Sequence, residues 1–130
     1  MSREVSMQFG KPSGIGQNDS QTVKALTPIV TQTSGNTSIE SAEAVRYGKV
    51  VQFGFNFLFT GTTNAGSNAF VGTVSGIPLP VLPAMGIGYF SNSANIAALD
   101  PDGTFTIRVV GGNRTSSATV ASVRIVYICE

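Results

Sequence analysis

The sequence predicts an all-β domain, an antiparallel sandwich or barrel, and three observations carry that expectation. Large apolar residues alternate with small or polar ones along Val51, Phe53, Phe55, Phe57 and Phe59, along Phe105, Ile107 and Val109, and along Val123, Ile125 and Tyr127. A helix would spread each set around its circumference, whereas a strand puts each set on one face. Turn formers recur at close spacing, 15 Gly and 6 Pro in 130 residues, and leave no window with a helical period. The length suits one domain, which can bury roughly two-thirds of its unfolded surface without help from metals or disulfides.

Met1 to Ser38 is rich in Gly, Ser, Thr, Gln and Asn and holds neither period, so it reads as an irregular N-terminal arm or stem. Within it, Thr27 to Thr33 has the composition of one short strand, with Pro28 near its start, where a missing N–H is tolerated. The period-two pattern takes over in Ile39 to Glu130, the expected β head domain. Its first strand centres on Val51 to Phe59, with Glu40 and Glu43 ahead of it. Gly61 to Ser67 is a loop and Asn68 to Val74 a second strand. Pro78, Pro80 and Pro83 make Gly76 to Pro83 an extended, polyproline-like connection. Met85 to Phe90 and Asn95 to Leu99 flank a polar turn, Ser91 to Ala94. Asp102-Gly103 has the residue types of a type I′ turn, whose central residues need positive φ, and joins Asn95 to Leu99 with Thr104 to Val110. Gly111 to Ser117 closes another hairpin, and the last strand runs from about Thr119 to Cys129.

Composition removes most enzyme classes. The chain has no histidine, so a Ser-His-Asp triad, a His-ligated metal and an imidazole base are excluded. Its lone Cys129 excludes an internal disulfide framework and a CxxC zinc site. Asp100 and Asp102 flank Pro101 and could be read as a carboxylate pair or calcium ligands, but Asp-Pro-Asp-Gly is ordinary turn chemistry. Gly86-Ile87-Gly88 and Gly14-Ile15-Gly16 are too short for a nucleotide fingerprint and open no helix; they read as backbone devices. Asn18, Asn36 and Asn113 begin glycosylation sequons, chance matches in a Ser/Thr-rich chain with no secretion signal at Met1 to Gly10. No stretch reaches the roughly 20 apolar residues of a membrane span. The expectation is a non-enzymatic protein without cofactor or metal, made in a cytoplasm.

Charge points the same way. Eight cations and seven anions are scattered, for a net +1, and phosphate binding needs several cations on one face. Charged residues are 12% of the chain, about half the globular norm. With 42% hydrophobic residues, such a surface suits a subunit interface or a neutral partner such as a glycan. A homotrimer is the expected assembly. Leu58, Val126 and Ile128 are its candidate interface residues, each opposite its strand's main apolar row.

The run Val45 to Phe59 (VRYGKVVQFGFNFLF), the prolines of Pro78 to Pro83, the Asp102-Gly103 hairpin with its Thr104 to Val109 strand, and the terminal Ser122 to Ile128 strand follow in an order that resembles the head domains of bacteriophage tail-fibre and baseplate receptor-binding proteins. The resemblance covers about the last 85 residues. It implies a jelly-roll-like antiparallel β head, homotrimeric, at the tip of a virion appendage, binding a cell-surface saccharide or protein. It further implies a virion protein of the tail or baseplate, made in the host cytoplasm, with the N-terminal arm meeting other virion proteins. Members that bind saccharides often display Trp or His, and this chain has neither.

Candidate ligand-binding residues therefore come from polar loops. Asn92 and Asn95 in Ser91 to Asn95, and Asn113 and Arg114 in Gly111 to Thr115, supply the amide and guanidinium donors that orient sugar hydroxyls. Tyr89, with Tyr47, Phe90 and Tyr127, lies outside the main alternation or at a strand end and could offer a stacking surface. The alternative function is structural: a baseplate, fibre or capsid-decoration domain that holds another virion protein.

Overall fold

The computed structural model describes residues 22–90, 93–111 and 120–130; for Tyr89, Phe90 and Ser93 it describes the backbone. Nine strands form among them: β1 (Val23–Leu26), β2 (Ile29–Ser34), β3 (Thr37–Tyr47), β4 (Val50–Phe59), β5 (Asn68–Ser75), β6 (Ala84–Phe90), β7 (Ser93–Leu99), β8 (Thr104–Val109) and β9 (Ala121–Ile128). They make two antiparallel sheets packed as a sandwich, ordered β1-β3-β4-β9 and β2-β5-β8-β7-β6. In the second sheet the β6-β7-β8 meander is preceded by β5, which lies beside β8 after the long 76–83 connection, a Greek-key arrangement.

The core is the inward row of each strand. Phe53, Phe55, Phe57 and Phe59 of β4 are fully buried or within 1% of it, as are Phe70, Leu99, Phe105 and Ile107 of the facing sheet. Phe55 is the hub: its ring centroid lies 5.1 Å from Phe70 and 5.3 Å from Phe105, both edge-on, and 5.6 Å from the stacked Phe57. Burial of each ring stabilises the fold by about 1.5–3 kcal/mol, which makes this row the main source of stability. β8 and β9 keep the expected alternation, with Val109, Val123 and Ile125 inward. Tyr127 is inward too, with its hydroxyl donating to the Pro78 carbonyl oxygen, so it offers no exposed stacking surface.

The sandwich begins earlier than Ile39. Residues 23–38, expected to belong to the arm, supply β1 to the first sheet, β2 to the second and the start of β3. β3 was hidden because its inward positions are small: Ala42 and Ala44 stand opposite Phe55 and Phe53 of β4, leaving room for the rings. Glu40 and Glu43 lie in β3 rather than ahead of the first strand. Residues 1–21, including the Gly14-Ile15-Gly16 segment, lie outside the described residues.

The Asp100–Gly103 turn also differs from the type I′ expectation. Gly103 N–H donates to the Asp100 carbonyl at 2.9 Å, and Asp100 N–H to the Thr104 carbonyl at 2.9 Å, enclosing a three-residue loop. Pro101 sits at its first position, where the pyrrolidine ring holds φ negative, and Gly103 at its last takes the left-handed conformation (φ 93°).

One edge of the sandwich is closed by close packing. A Cβ on Gly86 would lie 1.9 Å from the Arg124 carbonyl oxygen, and one on Gly88 2.0 Å from that of Ser122, so β6 approaches the β9 backbone as only glycine allows. The proline segment continues this edge: Val81 N–H donates to the Ile128 carbonyl at 3.1 Å, and Pro80 bridges Cys129.

Candidate ligand-binding end

Antiparallel pairing sorts the connections by end. β7 and β8 meet at Asp100–Gly103, so β6 and β8 both finish at the opposite end, where the 60–67 loop also lies. Backbone bonds tie that end together: Gly66 N–H to Val109 O (2.6 Å), Val109 N–H to Ser67 O (3.0 Å) and Val110 N–H to Ala94 O (3.0 Å). Asn36, in the β2–β3 connection, accepts Thr60 N–H at its carbonyl (2.8 Å) and donates its amide to Thr62 O (2.7 Å). The first strand starts at the other end, with Val23 opposite Tyr47 beside the Gly48-Lys49 turn.

The two loops singled out in the sequence therefore leave from the same end. Asn92, Asn113 and Arg114 lie outside the described residues; Tyr89 is placed by its backbone, near the end of β6 opposite Ala94. Asn95 is a correction. It is not in a loop but in β7, on the inward row with Ala97 and Leu99, and is fully buried. Its register partners are Gly88 and Val109, and neither its Oδ1 nor its Nδ2 has a hydrogen-bond partner. A side chain so placed cannot touch a ligand at the surface. The period-two pattern could have revealed this, because Asn95, Ala97 and Leu99 alternate with Ile96 and Ala98.

The described surface of this end presents uncharged polar groups, with Asn36, Thr62, Asn64, Ser67 and Asn68 all exposed, beside the exposed Val110 and Val120. These amides and hydroxyls both donate and accept, the chemistry that matches a hydroxyl-bearing neutral ligand. Apart from Asn36, these polar residues belong to Gly61–Ser67 and the adjoining start of β5, segments read from sequence only as a connection and a strand.

The opposite end carries a shallow depression of about 400 Å³ lined by Pro78, Leu79, Pro80, Val81, Pro101 and Glu130. Its walls are mostly proline rings and aliphatic chains, with one carboxylate and little to orient a substrate. Asp102, nearby in the turn, spends its carboxylate locally: Oδ1 accepts the Thr104 N–H at 2.9 Å, and hydrogen bonding to Thr104 holds its pKa below the ordinary value. Among the described residues no three His, Cys, Asp or Glu side chains gather as metal ligands.

The three candidate interface residues are all on the outer face of the first sheet but not together. Val126 and Ile128 are 60% and 53% exposed at the end where the chain enters β1. Leu58, opposite Ser38, is half-buried toward the loop end, beyond the rows holding the Glu43–Arg124 ion pair (3.4 Å) and Asn56. No protein-family model matches the chain, and no curated protein matches it either. The fold and the described surface therefore define a class, an antiparallel β-sandwich with exposed uncharged polar groups at Asn36, Thr62, Asn64, Ser67 and Asn68 of one end.

Proposed function

We propose that this chain is a non-enzymatic adhesion module, the head of a bacteriophage tail fibre or baseplate receptor-binding protein that recognises a host-surface glycan. The observation that carries the reading is the polarity of the sandwich: β1 starts with Val23 at one end, and the exposed polar groups of Asn36, Thr62, Asn64, Ser67 and Asn68 stand at the other. A head fed by a stem at one end and presenting loops at the other can reach a surface-bound ligand without steric conflict. The motif order from Val45 to Ile128 supports the same reading. Single-site sugar affinity is weak, and several copies displayed together, as in the proposed homotrimer, raise it through effective concentration.

The test is competition. Purified protein should block adsorption of the phage that carries it and bind selectively on a glycan array. Simultaneous replacement of Asn64 and Asn68 by Ala should reduce glycan binding several-fold while the fold persists. A folded protein that neither binds glycans nor competes for adsorption refutes the reading. That result favours the second reading, a structural virion domain, which exposed apolar side chains such as Val126, Ile128, Met85 and Ile87 also suit.

A further inference from the structure

The two long edges of the sandwich are finished differently. One is closed where Gly86 and Gly88 bring β6 against β9. At the other, β1 and β2 are the outermost strands of their sheets, and β1 is only 4 residues long. β1 covers Ala44 to Tyr47 of β3, so among the described residues 38–43 of β3 pair with β4 alone. Alternate residues of that stretch turn their N–H and C=O groups toward the open side, a template for one more strand. The core is unfinished at the same place. Leu26, Val30, Ile39 and Ala42 stand opposite the inward Ala44, Val74, Phe57 and Phe55, yet Leu26, Val30 and Ala42 are only half-buried and Ile39 is 37% exposed.

We propose that the chain's own residues 4–9 add a strand to this edge, beside 38–43 of β3, with Val5, Met7 and Phe9 turned inward over Leu26, Val30, Ile39 and Ala42. Three observations select this occupant. Val5, Met7 and Phe9 alternate with Glu4, Ser6 and Gln8, the period of a strand with one buried face, and the stretch matches the open length of β3. Reach is sufficient. Residues 10–22, which join this stretch to β1, contain Gly10, Pro12, Gly14 and Gly16, and extended they span about 43 Å, more than the roughly 36 Å of the whole 11-residue β3. Charge also chooses between occupants. The open stretch carries Glu40 and Glu43, the latter 3.4 Å from Arg124, while residues 4–9 are flanked by Arg3 and Lys11 and hold the single Glu4. Pairing this edge with the same edge of a second copy would instead bring glutamates together. One added strand both pairs the open backbone groups and covers the half-buried apolar side chains.

Hydrogen–deuterium exchange on the full chain tests this. Amides of residues 4–9 and 38–43 should exchange at least about tenfold more slowly in wild type than in Val5→Asp/Phe9→Asp, while amides of β4 and β9 exchange alike in both. Met7→Asp serves the same comparison if the double variant misfolds, and Phe9→Leu, which stays apolar, should keep the protection. A nitroxide attached at Ser6→Cys, on the polar row, meets no competition for the label from the buried Cys129. It should broaden the amide signals of Val30 and of 38–43 and leave those of Met85 and Ile87, on the opposite edge strand, sharp. Spin-labelled protein mixed with isotope-labelled protein free of nitroxide separates docking on the same chain from docking on another copy. Broadening of 38–43 as strong in that mixture as within the spin-labelled chain overturns the inference. Exchange of residues 4–9 at the rate of an unstructured peptide, or protection of 38–43 that survives in Val5→Asp/Phe9→Asp, overturns it equally. None of these readouts depends on glycan binding, which is measured separately.

Discussion

Tyr127 shows how one side chain ties the core to the surrounding connections. Burial, and then the charge that Cys129 can carry, push its phenol up to about 12 from an ordinary value near 10. The folded state therefore holds this proton more tightly than the unfolded chain, so the contribution is intact below pH 10 and is lost as pH rises from about 10 to 12. Tyr127→Phe should remove that part of the alkaline destabilisation and, at neutral pH, cost about 0.5–1.5 kcal/mol for the bond to Pro78. Urea unfolding at pH 8 and pH 11 reads both effects; equal pH sensitivity in the two proteins would contradict them. Asn95 makes the opposite case. Asn95→Leu keeps the branched shape and removes two buried polar atoms without partners, so stability should stay level or rise by up to about 2 kcal/mol. A loss above about 1 kcal/mol would show that the amide is held by a bond absent from its described surroundings.

At the scale of elements, the closed edge is the most demanding feature. Gly88→Ala would press a methyl group into the Ser122 carbonyl oxygen, a backbone atom of β9 that cannot turn aside, so the two sheets must part locally. The expected cost is about 1–3 kcal/mol or more, read as a lower midpoint in thermal or urea unfolding. An unchanged midpoint would mean that β6 and β9 do not pack this closely in solution. The strands were legible in unequal measure. β4, β8 and β9 announced themselves because each buries a row of large apolar residues on one face. β3 did not, since its inward Ala42 and Ala44 are small to make room for Phe55 and Phe53. β1 is four residues long and mostly exposed, too short and too polar in setting to imprint a period. The turn at Asp100–Gly103 was found in the right place with the wrong geometry, because the Asp-Gly signal was weighed without the constraint of Pro101.

For the whole molecule, the proposed homotrimer would make assembly and stability one problem. Large apolar side chains such as Val126 and Ile128 are exposed in the isolated sandwich, and covering them between copies would couple folding to association. The apparent melting temperature should therefore rise with protein concentration for wild type and stay constant for Val126→Glu/Ile128→Glu; a concentration-independent wild-type transition would argue against the coupling. Scanning calorimetry over a hundred-fold concentration range makes the comparison.

What the sequence by itself determined is the class: period-two rows of Phe, Ile and Val fix strands and one buried face per strand, and the absence of histidine removes whole families of chemistry. It also placed Val126 and Ile128 outward, since alternation assigns a face within each strand. Only the tertiary structure decided which strands share a sheet, that 23–38 belongs to the sandwich, and that Asn95 points inward. The sequence could not show that Val45, Tyr47, Val126 and Ile128 gather into one apolar surface, nor that Met85 and Ile87 stand on its neighbour. The physical reason is that alternation is local, whereas a surface is assembled from strands far apart in the chain. Their adjacency depends on register and on the close approach that Gly86 and Gly88 permit.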